Sequence, residues 1–342
     1  MSSSACPRPP RPSRMRRCHQ AGYVALAVVV AFVASTWSGQ EDSSGAVIQH
    51  AAEDPWLSPK AALVHVVGPP AQGWTLARAV DDGQQWMKVY TKLEPGWLSM
   101  RVDATVFGTV TEIMSILREI DLMHMWNPFC DHGELLRLLS FSEIWAAAGV
   151  HLPWPVPRQY LFVRASVRKD PTAHGGLVAI AQSQKDGEIE PPKGTKLPQA
   201  LSSRVHLAVH LAVARLRPGK VGPSASPPMT QGEIYITFDL SRVPGLTAVS
   251  KPPSYLVNLI VWICVPTIWT EYLAAIAQIS QPSSAHLRRI QQDATGLYKW
   301  MARRTGQPLS SSSRSDAPRL VHQGATGPRR KPWNWWRGKD HS

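Results

Sequence analysis

A long apolar stretch runs from Ser254 to Ser280 (SYLVNLIVWICVPTIWTEYLAAIAQIS) and directly follows two prolines, Pro252 and Pro253. Because prolines commonly stand just before a helix or in its first turn and Ser254 is a suitable N-cap, a single long helix is predicted to begin after Pro253. A helix that is apolar on all sides must be buried, either in a protein core or in a membrane. The rest of the chain must therefore offer it a large apolar surface, or the helix must enter a bilayer.

The middle of the chain offers such a surface, because it contains several segments whose side chains alternate. Trp86 to Leu93 and Leu98 to Val106 both alternate, and the turn residues Glu94-Pro95-Gly96 lie between them. This pattern predicts a β-hairpin. From Thr111 to Ile120 the apolar residues recur at helical spacing instead, so a helix is predicted there.

Four further segments are predicted to be strands. In one of them, Val205 to Val213, every odd-numbered residue is Val or Leu, and these five side chains are expected to share one face. The order of the elements predicts an α+β fold, in which a curved antiparallel sheet wraps around the long C-terminal helix and leaves an internal apolar cavity. The four segments are Tyr160 to Val167, Gly176 to Gln184, Val205 to Val213 and Glu233 to Leu240.

Three short motifs stand in the order known from one protein family. Trp126-Asn127-Pro128 follows the predicted internal helix, Pro157 to Arg164 (PRQYLFVR) opens a strand, and Tyr255 to Asn258 (YLVN) opens the last helix. Together they resemble the START (StAR-related lipid-transfer) domain family over residues 74–281, with Gln159 where the family motif has Asp. The resemblance implies a helix-grip fold whose hydrophobic tunnel holds one lipid or sterol molecule and is closed by the C-terminal helix.

The family often places an acidic residue and an arginine inside the tunnel, and the resemblance implies these roles for Glu143 and Arg164. If both face the cavity, they must pair with each other or bind a polar head group, since an unpaired buried charge is costly. The alternative is that both lie on the surface. The predicted ligand-binding residues are Glu143, Arg164, Trp126, Asn258, Leu259 and Trp262.

The net charge of +13 is concentrated at the two ends of the chain. Residues 1–40 contain five Arg and no acidic residue, and residues 302–342 contain nine Lys or Arg and two Asp. A nucleic-acid-binding domain would carry its positive charge on a folded face. The distribution therefore favours contact with an anionic membrane surface, and no nucleic-acid partner is expected.

The two ends of the chain also differ from the middle in composition. Residues 1–40 join a basic stretch to the uncharged run Ala21–Trp37, which is the layout of a signal peptide or a membrane anchor. We expect a membrane-associated, single-pass protein, with a secreted or organelle-targeted protein after leader cleavage as the alternative. Residues 41–73 are predicted to be a linker, and residues 282–342 a basic, disordered tail whose Trp333, Trp335 and Trp336 suit a membrane interface.

The sequence contains no motif that points to catalysis or to a metal. GxSxG, Walker A and GxGxxG are absent. His206 and His210 form an HxxxH pair, but on a strand they would stand about 13 Å apart, too far for one metal ion. Cys130 and Cys264 are expected to be buried apolar residues.

The predicted function is therefore the non-catalytic binding, with possible intermembrane transfer, of one lipid or sterol, without a cofactor. Two alternatives stay open. One is an enzyme of the same superfamily, such as a cyclase or hydrolase. The other is a membrane protein that crosses the bilayer twice, through Ala21–Trp37 and Tyr255–Ile279.

Overall fold

The computed structural model describes residues 58–70, 72–151, 157–183, 194–219, 227–240 and 254–310. Short 3-10 helices span Ile120–Met125 and Gln199–Leu201. The α-helices are α1 (Pro59–Leu63), α2 (Val110–Arg118), α3 (Ser254–Ile279), α4 (Ala285–Gln292) and α5 (Leu297–Thr305). The strands are β1 (Thr75–Asp81), β2 (Trp86–Glu94), β3 (Trp97–Phe107), β4 (Cys130–Ser140), β5 (Glu143–Val150), β6 (Gln159–Lys169), β7 (Leu177–Ser183), β8 (Val205–His206), β9 (Ala208–Pro218) and β10 (Met229–Asp239).

The described strands form one sheet in the order β1-β2-β3-β10-β9-β7-β6-β5-β4, and every neighbouring pair along this path is antiparallel. The short strand β8 pairs with β6 in parallel. The predicted hairpin is confirmed, since β2 and β3 pair from Trp86 opposite Thr105 to Glu94 opposite Trp97. With α3 packed against the sheet, the predicted α+β helix-grip architecture is confirmed as well.

The main core lies between one face of the sheet and the helices α2 and α3. Val89 and Ile236 from the sheet, Ile116 from α2 and Ile268 from α3 are all at most 1 % exposed. Fully burying an aliphatic side chain of this size stabilises the fold by roughly 1.5–3 kcal/mol. The apolar helix predicted after Pro253 is thus confirmed, and several of its described apolar residues, such as Ile268 and Ile279, are buried in this core. We call the sheet face that meets α3 the inner face and the opposite one the outer face.

The helix predicted over Thr111 to Ile120 is confirmed as α2, which spans Val110–Arg118. A capping box starts it: the Thr109 hydroxyl accepts from the Glu112 backbone N–H at 3.1 Å, and the Glu112 carboxylate accepts from the Thr109 backbone N–H at 2.8 Å. The helix ends at Arg118, and the chain turns through the 3-10 helix at Ile120. There β4 passes so close that a Cβ atom on Gly133 would lie 1.9 Å from the Ile120 carbonyl oxygen.

The segment 205–213 is two strands rather than one, and its side chains do not share a face. A bulge at His210 separates Val209 from Leu211 in the pairing with β10. One extra residue turns the side chains that follow to the other face of the sheet. Val209 accordingly packs in the main core, whereas Leu211 and Val213 pack on the outer face. The prediction of one shared face is therefore wrong.

The helices α4 and α5 lie in a region that was predicted to be disordered. Ile290, Tyr298 and Met301 are at most 2 % exposed and belong to the main core. The Tyr298 hydroxyl donates a short hydrogen bond to the Glu119 carboxylate at the end of α2. The prediction of disorder from residue 282 onward is therefore wrong for residues 285–305, because contacts with α2 hold these helices.

Folded structure also begins earlier than predicted. Leu63 of α1 and Val66 after it are at most 2 % exposed, and both pack against Val178 and Val213 on the outer face. The linker predicted for residues 41–73 is therefore wrong for residues 59–66, where apolar contacts fix the chain to the sheet.

Several predictions fall on parts of the chain outside the described residues. These are the basic leader with Ala21–Trp37 and the tail with Trp333, Trp335 and Trp336. Within the described ranges, none of the helices has the length and apolar character that a membrane crossing needs.

Candidate functional site

A cavity lies between the inner face of the sheet, α2 and α3. The centre of a water-sized sphere can move through about 60 Å³ of it, which is several times the roughly 10–15 Å³ that a single water molecule needs. Its walls come from four strands and two helices. The lining residues are Met87, Val89, Val102, Ala104, Val106, Ile113, Leu117, Leu216, Thr230, Gly232, Ile234, Val265, Ile268, Trp269 and Tyr272.

Small residues in the central strands create this space. Gly232 on β10 pairs with Ala104 on β3 and with Leu216 on β9, and all three line the cavity. A Cβ atom on Gly232 would meet only the Leu216 side chain, at 3.4 Å. A glycine weakens a strand interior and often marks a place where another molecule approaches the backbone closely. The missing side chain at Gly232 therefore leaves room in front of the sheet.

The lining is almost entirely apolar. Among the described lining residues only Thr230 and Tyr272 carry hydroxyl groups, and none is charged. The Thr230 hydroxyl already donates to the Gly108 carbonyl at 2.8 Å. Burial raises the pKa of Tyr272 well above its usual value, so its hydroxyl stays neutral. A lining of this kind suits an apolar molecule and offers no charged group for acid–base chemistry.

Glu143 and Arg164 form an ion pair, with 2.5 Å between Arg164 Nη2 and Glu143 Oε1; such a pair was expected from the sequence only if both residues faced the cavity. Arg168 adds a second contact to Glu143 at 3.3 Å. Alternation along the strands, however, places the pair on the face that carries Trp145 and Phe162. That is the outer face, since the intervening Ile144, Ala146 and Val163 pack in the main core. The predicted cavity role of Glu143 and Arg164 is therefore wrong, and the two side chains pair with each other on the outer face instead.

Two of the other predicted site residues, Trp126 and Trp262, are not among the described residues that line the cavity. Trp126 is 5 % exposed and packs against Tyr272, with 5.6 Å between ring centroids. Trp262 on α3 is 58 % exposed and lies one helical turn before Val265, which lines the cavity. Asn258 and Leu259 belong to the first turns of α3, whose side chains lie outside the part that the structure describes.

The two histidines of the HxxxH pair make separate aromatic contacts. His206 stacks on Tyr160 with 5.0 Å between ring centroids, and His210 meets the edge of Trp97 at 5.2 Å. Over the described ranges no three His, Cys, Asp or Glu side chains are grouped as a metal site requires.

The two cysteines in the described part of the chain are buried and free. Burial raises the pKa of both the Cys130 and the Cys264 thiol to about 12. Both thiols are therefore protonated near neutral pH, which confirms the prediction that they are buried apolar residues.

None of the described cavity-lining residues was among the predicted site residues. One sequence signal could have found part of the wall, because Gly232 interrupts a segment that otherwise has strong β character. The lining residues of β9, such as Leu216, depend on the bulge at His210, which the alternating sequence hides. Lining residues such as Ile268 and Tyr272 on α3 depend on how the helix is rotated against the sheet, and its apolar residues surround it on all sides.

Solved structures share this architecture. No protein-family model and no curated protein sequence matches the chain. Human STARD10 aligns with a TM-score of 0.50 and 12 % identity over 70 % of this chain and 86 % of its own. Human StAR-related lipid transfer protein 5 aligns at 0.43 and 14 % identity, over 62 % of this chain and 90 % of its own. A STAR-related lipid transfer protein from Xanthomonas axonopodis aligns at 0.40 and 19 % identity, over 60 % of this chain and 100 % of its own.

At these identities the likeness concerns the fold. The motifs quoted from the sequence predicted the same fold, and the arrangement of sheet, α3 and cavity agrees with it. The chain has the helix-grip fold of the START (StAR-related lipid transfer) domains.

Proposed function

We propose that this protein binds one lipid or sterol molecule in the cavity and carries it between membranes without changing it chemically. The observation that supports this most directly is the apolar cavity between the sheet and α3, on the fold of the START domains. An apolar cavity of this kind stays dry, and the uptake of an apolar molecule from water is favourable. The described lining has no charged group and no nucleophile with a base beside it, so the proposal includes no catalytic step.

The proposal requires α3 to move, because the present space of about 60 Å³ is smaller than a whole lipid. The helix contributes Val265, Ile268 and Trp269 to the wall. Pro266 lies among them and has no N–H to donate to the carbonyl oxygen of Trp262, one turn earlier. We therefore place the opening of α3 near Pro266, and expect the rate of ligand exchange to follow the motion of this helix.

Attachment to a membrane is a separate part of the proposal and is supported by the sequence alone. The uncharged run Ala21–Trp37 follows a basic stretch, and the C-terminal tail combines tryptophans with basic residues. Sedimentation with membranes after alkaline washing would test it. The full chain should stay with the membranes, and deletion of residues 1–40 should release it. Equal sedimentation of both proteins would contradict attachment through the leader.

Filling the cavity tests the proposed function. The substitution Gly232→Leu places a side chain in front of the sheet where only Leu216 lies near. Transfer of pyrene-labelled phosphatidylcholine and of dehydroergosterol between vesicles is measured with the full-length protein. Each probe that the wild-type protein transfers should move at least tenfold more slowly with the variant, because the leucine occupies the ligand's space.

Gln231→Leu is the matched control. It adds the same side chain to the same strand, but on the outer face, because neighbouring residues of a strand point to opposite faces. Thermal unfolding of both variants shows that they are folded. If Gly232→Leu transfers lipid as fast as Gln231→Leu, the cavity is not the binding site.

A further inference from the structure

Arg78 is a cation on the inner face of the edge strand β1. It pairs with Val89 on β2, a residue that lines the cavity. Directly opposed residues of antiparallel strands point to the same face, so the Arg78 side chain leaves β1 on the cavity side. A shift in the strand pairing between Leu76 and Arg78 produces this orientation, because the extra residue reverses the alternation.

The Arg78 guanidinium group reaches across the seam between β1 and α3. Its central carbon lies 5.9 Å from the ring centroid of Trp262 on α3. Trp262 stands one turn before the lining residue Val265 and is 58 % exposed. Arg78 and Trp262 together therefore lie where the cavity meets the surface.

Apart from the Trp262 ring, Arg78 has no charged partner among the described residues. Its Nε–H is buried and finds no acceptor within the same part of the chain. No carboxylate of the described residues pairs with it, although Arg101 pairs with Asp103 at 2.8 Å and Arg215 with Asp170 at 2.6 Å. A partly buried guanidinium without an acceptor is costly, and it is suited to bind a carboxylate or a phosphate.

We propose that Arg78 binds the anionic head group, a phosphate or a carboxylate, of the lipid whose chains fill the cavity. The inference rests on the proposed function. An amphiphile has its apolar part among Val89, Val265 and their neighbours, and its charged end at the seam, where the guanidinium and the exposed indole of Trp262 meet it. The described residues of the cavity wall supply no charge, so this contact selects anionic lipids over neutral ones.

The test compares three lipids with identical acyl chains. Binding of pyrene-labelled phosphatidic acid, phosphatidylcholine and diacylglycerol to the full-length protein is titrated for wild type, Arg78→Gln and Arg78→Lys. We expect the wild type to prefer phosphatidic acid over diacylglycerol. Arg78→Gln should weaken phosphatidic acid binding at least tenfold and leave diacylglycerol binding unchanged. Arg78→Lys should retain part of the preference, because it keeps the charge but not the forked donor geometry.

Lys88→Gln is the control, since it removes an exposed cation from the outer face of β2, opposite Ala79. It should leave all three affinities unchanged. Inorganic phosphate, titrated alone, should bind far more weakly than phosphatidic acid. Phosphate that binds as tightly as the lipid and is lost in Arg78→Gln would overturn the proposal in favour of a free-anion site.

The remaining outcomes separate the inference from the proposed function. If the wild type binds diacylglycerol and phosphatidic acid equally and Arg78→Gln changes neither, the head-group assignment fails while lipid binding stands. If the wild type binds none of the three lipids, both fail. A parallel loss of all three in Arg78→Gln, with a lower unfolding temperature, would assign Arg78 to the stability of the seam and overturn its binding role.

Discussion

Glu119 makes the stability of this protein depend on pH in an unusual direction. Glu119 directly follows Arg118, the last residue of α2. Its side chain is 1 % exposed and accepts a hydrogen bond from the Tyr298 hydroxyl of α5. Burial raises its pKa from the usual 4.5 to about 7, with Asp121 acting in the same direction and with Arg118, the Tyr298 hydroxyl and Arg289 opposing. The substitution Glu119→Gln keeps the shape and the acceptor for Tyr298 but removes the ionisation.

The size of the effect follows from the two pKa values of Glu119. They differ by about 2.5, from 4.5 in the unfolded chain to about 7 in the folded protein, and one pKa unit corresponds to about 1.36 kcal/mol. Between these values the folded protein binds more protons than the unfolded chain, so stability falls as pH rises. The stabilisation by neutral Glu119 is complete below pH 4.5 and is lost through pH 7, which amounts to about 3 kcal/mol.

Urea unfolding followed by circular dichroism tests this prediction between pH 4.5 and pH 8. Glu119→Gln should match the wild type at pH 4.5 and exceed it by about 3 kcal/mol at pH 8, because only the wild type must bury a carboxylate. Glu134→Gln, at an exposed site on β4, should follow the wild type throughout. A stability difference that does not change with pH, or a Glu119→Gln protein that is less stable at pH 8, would refute the reasoning.

Two further substitutions test the packing of the sheet by urea unfolding. Asp170 is fully buried and bonds Arg215 at 2.6 Å; burial alone would raise its pKa, but the Arg215 contact and hydrogen bonds from Thr172 lower it. Asp170→Asn should cost about 3–5 kcal/mol near neutral pH, and a loss under about 1 kcal/mol would contradict the role of the pair. The wild type should lose the charge-dependent part of this stabilisation as pH falls through the lowered pKa. Gly133→Ala should lower the free energy of unfolding by at least about 1–3 kcal/mol, because the added carbon would lie 1.9 Å from a backbone oxygen. Gly232→Ala should leave the stability nearly unchanged, because its added carbon meets only one side chain, at 3.4 Å. Equal effects of the two substitutions would contradict this packing.

The elements that the sequence predicted well are those whose pattern is local. Trp86–Leu93 and Leu98–Val106 alternate around a turn, and their pairing needs no information from elsewhere in the chain. The capping box at the start of α2 joins Thr109 and Glu112, so this signal occupies only four consecutive residues. The long apolar helix after Pro253 is defined by its own composition. The order of the elements predicted a sheet wrapped around this helix, and the resemblance to the START family implied the helix-grip fold.

The predictions that failed depend on contacts between distant segments. Glu143 and Arg164 were expected to face the cavity, but which face they share is decided by how β5 and β6 pack on the core. The bulge at His210 is invisible in an alternating sequence and reverses the faces of Leu211 and Val213. The cavity could not be predicted for the same reason, since its described wall combines residues from four strands and two helices that are distant in the sequence.

The helices α4 and α5 were missed for a different reason. They contain eight and nine residues, and helices shorter than about 12–15 residues are marginal without tertiary contacts. Their polar composition resembles that of a disordered tail, while the contacts that hold them, such as Tyr298 with Glu119, join residues far apart in the chain. Ser284, whose hydroxyl caps α4, is the local signal that could have indicated it.

Native mass spectrometry on the full-length protein, after exposure to a mixed lipid extract and removal of free lipid, tests the central claim most directly. The account predicts one lipid molecule per protein chain for the wild type and an empty chain for Gly232→Leu. A wild-type protein that stays empty with sterols, phospholipids and sphingolipids alike would contradict the assignment of the cavity as a lipid-binding site.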